Sequence, residues 1–147
     1  MTKLFQAFLT GLFFTFILDF FMFLGIFLNY IKFYEINIYY NILFWDHQNI
    51  YVYLLFTLLI GSIITYINNN KFSFTIMGLL FLLSFSALIP SVGYALGESL
   101  LMQKNTILKW KKYTYNGNIY YDGRETLTFY DYELKKTILF NKKEIKQ

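Results

Sequence analysis

The sequence predicts a membrane α-helical fold: three transmembrane helices, the third kinked at Pro90, and then a small C-terminal antiparallel β-meander. Three observations carry this expectation. Long apolar runs fill residues 1–98. Charge is partitioned, so that residues 4–31 hold one Asp, Glu, Lys or Arg (Asp19), residues 72–97 hold none, and ten of the 13 Lys and Arg lie from Lys104 onward. The polar remainder, residues 99–147, carries turn dipeptides between stretches rich in Tyr, Thr, Ile and Phe, the residue types that suit strands.

Composition agrees with the partition. The 147 residues are 56% hydrophobic and only 15% charged, against about 25% charged in soluble domains. Phe, Tyr, Ile, Asn and Lys are abundant beside three Ala, one Pro and one Arg. That is the pattern of AT-rich coding DNA, so codon bias accounts for part of the aromatic content.

A bilayer core about 30 Å thick takes about 20 apolar helical residues. Residues 4–29, 50–67 and 74–97 form the three expected spans of a transmembrane domain covering 1–98. Backbone amides in hydrocarbon must be bonded within their own element, so these runs become helices. The first is too long for a signal-peptide core, and no small-residue cleavage site follows it, so it is read as retained. Residues 30–49, with Tyr30, Tyr34, Tyr39, Tyr40 and Trp45, form an interfacial aromatic loop or a short helix at the headgroup level. Asp46 or Asn49 can cap the second span. Asn68 to Lys71 is a turn. Pro90 removes one hydrogen bond from the third span. Gly93 and Gly97 are spaced for close helix contact, or the spacing is incidental; Gly78 with Leu82 is a similar weak pair.

In the tail, Asn116-Gly117 and Asp122-Gly123 are two-residue hairpin signals. They predict strands near residues 108–115, 118–121, 126–132 and 136–140. Leu127 and Phe129 alternate with Thr126, Thr128 and Tyr130, as in a half-buried strand. So small a sheet needs a partner for its apolar face: the membrane surface, the interfacial loop or another protein. Lys109, Lys111 and Lys112 around Trp110 read as a basic anchor on the membrane surface, with Trp110 interfacial. Counting positive residues places the tail in the cytoplasm and the N-terminus outside, against the opposite cue of Lys3.

The absence of Cys excludes disulfides and thiolate chemistry, and a single His cannot build a multi-histidine site. No metal and no cofactor is expected. Phosphate loops, HExxH and G-x-S-x-G are absent from the sequence, so it reads as no enzyme. A net charge of +4 with interleaved Glu and Asp argues against nucleic acid.

Two features stand out. Asp19 falls near the middle of the first expected span, where a carboxylate is costly and defaults to a functional hypothesis. It reads either as a neutral Asp bonded to a neighbouring helix or as a functional group, with assembly foremost. Thr57, Ser62, Thr65, Ser84, Ser86 and Tyr94 are available donors. The second feature, Trp45-Asp46-His47, is an acid beside a lone base, better explained as an interfacial loop leading into the second span. The partners expected are the lipid bilayer and another membrane protein or a second copy. The function expected is a non-enzymatic accessory or assembly subunit of a complex in the bacterial inner membrane. The alternative is an oligomeric ion- or proton-conducting protein using Asp19.

Overall fold

From Leu4 to Ile31 Asp19 is the only Asp, Glu, Lys or Arg, and the chain there is one helix. α1 (Lys3–Ile26) continues through a single π-helical turn (Phe27–Ile31), 29 residues in all. That is about 40 Å long, longer than a hydrocarbon core of about 30 Å. The computed structural model describes residues 2–67, 69–110 and 113–145. After α1 come α2 (Tyr40–His47), α3 (Ile50–Tyr66), α4 (Asn70–Ser86) and α5 (Pro90–Leu101). A four-stranded antiparallel sheet follows, β1 (Gln103–Trp110), β2 (Tyr113–Asp122), β3 (Thr126–Asp131) and β4 (Lys136–Asn141) in that spatial order, closed by the short α6 (Lys142–Ile145).

α1 is the axis on which the helices assemble. It packs closely along α3 and more lightly on α4, while α3 and α4 barely touch. The α1–α3 seam is set by small residues one turn apart on each helix. A Cβ on Gly11 would lie 1.8 Å from the Thr57 carbonyl oxygen, and one on Gly61 would lie 2.0 Å from that of Ala7. Side-chain-free contact lets the backbones touch, the arrangement that dispersion favours between helices in lipid. α4 joins through Ser84, whose Oγ donates to the Leu18 carbonyl, and through Phe81 and Phe85 against Phe14 and Phe21. Asn49 caps α3 by accepting from Tyr51 and Val52, and Asn69 caps α4 by accepting from Phe72.

The expected kink at Pro90 is a full break. α4 stops at Ser86, Pro90 is the first residue of α5, and the axes differ by 84°. A similar bend of 85° separates α2 from α3. Among the described residues α1 with its π-helical turn is the one helix long and apolar enough to cross a membrane, and there are up to three spans if each bent pair counts as one. The carbonyls freed by the break are not stranded. Asn29 Nδ2 donates to the Ala87 and Leu88 oxygens at 3.2 and 3.3 Å. Gly93 and Gly97 are spaced for contact and make it: a Cβ on Gly93 would meet Ala87 O at 2.3 Å and Gly25 O at 2.7 Å, and one on Gly97 would meet the Tyr30 ring. Gly78 faces open space, so its pairing plays no part in packing.

The far end of α1 builds a second core. Phe23, Ile26, Tyr30 and Ile31 are buried with Leu43 and Phe44 of α2, Leu101 of α5 and Tyr121 of β2. Tyr30 donates to the Tyr120 carbonyl at 2.8 Å, and the Tyr34 ring lies 3.9 Å from that of Tyr120.

The strand boundaries differ from expectation. Asn116-Gly117 lies inside β2, paired with Ile107 and Thr106, and no glycine among the described residues has positive φ. Gly117 serves another purpose, since a Cβ there would sit 1.8 Å from the Tyr130 carbonyl oxygen of β3. The first connection falls instead between Trp110 and Tyr113, within the stretch 108–115 expected to be one strand. Asp122-Gly123 does mark a turn, but a longer one than a two-residue hairpin, closed by Gly123 N–H on the Thr126 carbonyl. Between β3 and β4 the Asp131 carboxylate accepts from the Glu133 and Leu134 amides, and Lys135 adopts φ 49°. The sheet covers its own apolar face. Trp110, Tyr115 and Ile138 pack around Ile119, Leu127, Phe129 and Phe140, with α6 against β4 and β1.

Gly61→Leu should force α1 and α3 apart and cost about 1–3 kcal/mol, the usual scale of overpacking. Gly78→Leu should cost little. Thermal unfolding in mild detergent compares the two.

Candidate functional site at the helix–sheet junction

The bends that turn α2 and α5 aside gather polar residues around one end of the α1–α3–α4 bundle. Asp19 is among them. Because α3 begins at Ile50 and runs back along α1 toward Lys3, its first turn and the preceding Gln48 lie level with Asp19. Gln48 Nε2 donates to Asp19 Oδ2 at 2.5 Å. Gln48 caps the C-terminus of α2, so this bond ties the α2–α3 bend to the long helix. None of the donors anticipated from the sequence bonds Asp19. Ser84 reaches the neighbouring Leu18 carbonyl instead. Gln48 was missed because nothing in a linear sequence shows that a bend brings it back to α1. Two further hydroxyls on the α1–α3 seam, of Thr15 and Thr57, are buried without a hydrogen-bond partner among the described residues.

The Trp45-Asp46-His47 segment ends α2 beside the β2–β3 turn. The Asp46 side chain is 8% exposed; its Oδ1 accepts from Arg124 Nε at 2.5 Å, while Oδ2 has no partner among the described residues. His47 lies edge-on to Tyr121, 5.3 Å between ring centres, with its Nε2 buried and likewise unpartnered. Burial lowers the His47 pKa below 6.5, against the pull of Asp46 and Asp122. Burial, then the nearby Asp46 charge, pushes the Tyr121 hydroxyl up to about 12. Lys142 pairs with Asp122 on the other wall. Trp45, Asp46, His47, Asp122, Gly123, Arg124 and Lys142 line an open cleft of about 350 Å³. Asp46 and His47 thus belong to one junction, each with a partner in the sheet rather than with each other as an acid–base pair. Arg124, the only Arg in the chain, was not singled out from the sequence. Its position after Asp122-Gly123 was the available signal, since a turn residue is where a sheet can reach back to a helix.

Trp45 is 71% exposed on the same outward strip of α2 as Tyr39 and Ile42. Trp110 lies elsewhere, edge-on to Phe140 in the sheet's own cluster. Lys109 is exposed at the far end of β1 from α5; Lys111 and Lys112 lie outside the described residues. Glu98, on α5, pairs with Lys104 across the short link into β1. No group of three or more His, Cys, Asp or Glu among the described residues could hold a metal ion.

No protein-family model matches the chain, and neither a curated protein nor a solved structure does.

Removing Arg124 leaves a buried carboxylate without its donor. Arg124→Gln should loosen sheet docking by about 1–2 kcal/mol, between the values for an exposed pair and a charged hydrogen bond, and should speed proteolysis of the β2–β3 region. The His47 shift has a definite sign. Its pKa is depressed in the folded junction, so the stabilisation is complete above the ordinary value of 6.5 and is lost as pH falls through the folded pKa. Protection of the Tyr120 and Tyr121 amides, measured relative to their intrinsic exchange rates at each pH, should therefore fall on acidification, and His47→Gln should flatten that dependence.

Proposed function

We propose that the chain is a three-span membrane protein of the bacterial inner membrane and acts as a non-enzymatic accessory or assembly subunit. The observation carrying this reading is the distribution of exposed apolar residues. Only 28% of the most apolar window of α1 is buried. Leu4, Phe5, Leu9, Leu12, Phe13 and Phe16 of α1 are exposed, with Tyr51, Leu55 and Leu58 of α3 and Phe74, Leu82 and Leu83 of α4. Such a continuous apolar surface in water would be an aggregation hazard; in lipid it costs nothing.

On this reading α1, α3 and α4 cross the bilayer. With 17 residues each, α3 and α4 sit at the lower limit for a span. α2 and α5, turned by about a right angle, lie along the surface with Tyr39 and Trp45 at headgroup depth. The end of α1 beyond Asp19 stands clear of the hydrocarbon and carries the sheet, and Asp19 comes to lie near that surface. The exposed face of α1 between α3 and α4 is where a larger partner or a second copy would seat. The backbone contacts of Gly11 and Gly61 close the α1–α3 seam, which favours assembly over conduction through one copy.

Affinity purification from native membranes in mild detergent tests the reading. A stoichiometric larger membrane protein is the expected companion, and Asp19→Leu should insert normally while reducing its recovery. Recovery of the chain alone as a defined oligomer, with ion flux abolished in Asp19→Asn, would replace this reading with the conducting one. Tail fusions give the orientation: a cytoplasmic fluorescent reporter should be active and alkaline phosphatase inactive.

A further inference from the structure

We propose that the cleft between α2 and the β2–β3 turn binds the zwitterionic phosphoethanolamine headgroup of a phospholipid. The inference rests on the membrane reading above and adds a ligand to the junction. The cleft is lined by Trp45, Asp46, His47, Asp122, Arg124 and Lys142 and holds about 350 Å³, within the range of small-ligand pockets.

Charge selects the ligand class. Asp46 pairs with Arg124 and Asp122 with Lys142; with His47 neutral the lining carries two positive and two negative charges. A lone anion such as phosphate at Arg124 and Lys142 would sit beside the Asp46 and Asp122 carboxylates, with nothing to offset their repulsion. A zwitterion avoids this. Its phosphate accepts from Arg124 and Lys142, while its ammonium donates to the carboxylates, so every charge keeps a partner.

Position selects a lipid over a soluble zwitterion. Trp45, 71% exposed, shares the outward strip of α2 with Ile42 and Tyr39. An indole at headgroup depth offers an apolar flank for acyl chains and a donor for the glycerol region. A headgroup held in the cleft would therefore have its chains beside α2 rather than in water.

Native mass spectrometry of the purified full chain, released from vesicles of defined composition, tests the proposal. The vesicles contain phosphatidylcholine with equal parts phosphatidylethanolamine and phosphatidylglycerol. The expected result is retention of phosphatidylethanolamine at least fivefold over phosphatidylglycerol, falling to parity in Asp122→Asn and Lys142→Gln. Both substituted side chains are partly exposed, and circular dichroism checks that the variants fold. Equal retention of the two lipids, or preference unchanged in both variants, overturns the proposal. So does binding of free phosphoethanolamine at least as tight as that of the lipid, which would make the ligand a soluble one. Flotation with the same vesicles separates the two readings. A chain that floats without selectivity leaves the membrane reading standing and removes the cleft ligand, whereas a chain that fails to float removes both.

Discussion

The structure depends on the length of one helix. α1 is about 40 Å long, and its two halves face different problems. The half before Asp19 has neighbours that meet it backbone to backbone, through Ala7 and Gly11 against Thr57 and Gly61. The half beyond it is clothed by Leu43, Phe44, Leu101 and Tyr121 from elements that turn sideways. A shorter α1 would leave α2, α5 and the sheet without a common core. A straighter α4–α5 would carry the residues that now cover Tyr30 away from it.

Turning a helix sideways exposes backbone carbonyls and amides, and Asn29, Gln48 and Asn49 stand where that happens. Asn29 bonds the Ala87 and Leu88 carbonyls at the Pro90 break. Gln48 at the α2–α3 bend bonds Asp19, and Asn49 caps the next helix. A net hydrogen bond contributes about 1 kcal/mol, but leaving a buried carbonyl unpaired costs more. These side chains matter chiefly for the penalties they remove.

How much of this was legible in the sequence follows from what each signal measures. Apolar run length records solvent transfer, so α1 and α3 match the expected residues 4–29 and 50–67 closely. Pro90 marks its break because the ring acts locally. A bend of 84° instead of a kink needed Asn29, sixty residues away, to satisfy the freed carbonyls. Asn116-Gly117 misled for a related reason: a glycine can be required by a neighbouring strand as well as by a turn, and only the pairing with β3 distinguishes the two. At the junction, Asp46 and His47 were visible as a pair of chemically unusual neighbours. Arg124 and Tyr121 became relevant only once the sheet folded back onto α2, and Gln48 only once the α2–α3 bend returned it to α1.

The π-helical turn of Phe27–Ile31 sets the rotational phase of the whole molecule. Asn29 and Tyr30 are adjacent in sequence, yet one serves the α4–α5 break and the other the Tyr120 carbonyl of β2. The widened turn is therefore the mechanical link between a discontinuity among the helices and the seating of the sheet. Winding the same five residues as ordinary α-helix would rotate everything beyond them by about one residue's step, about 100°. Break and sheet would fall out of phase together, so a disturbance at either is communicated to the other through a single turn of backbone.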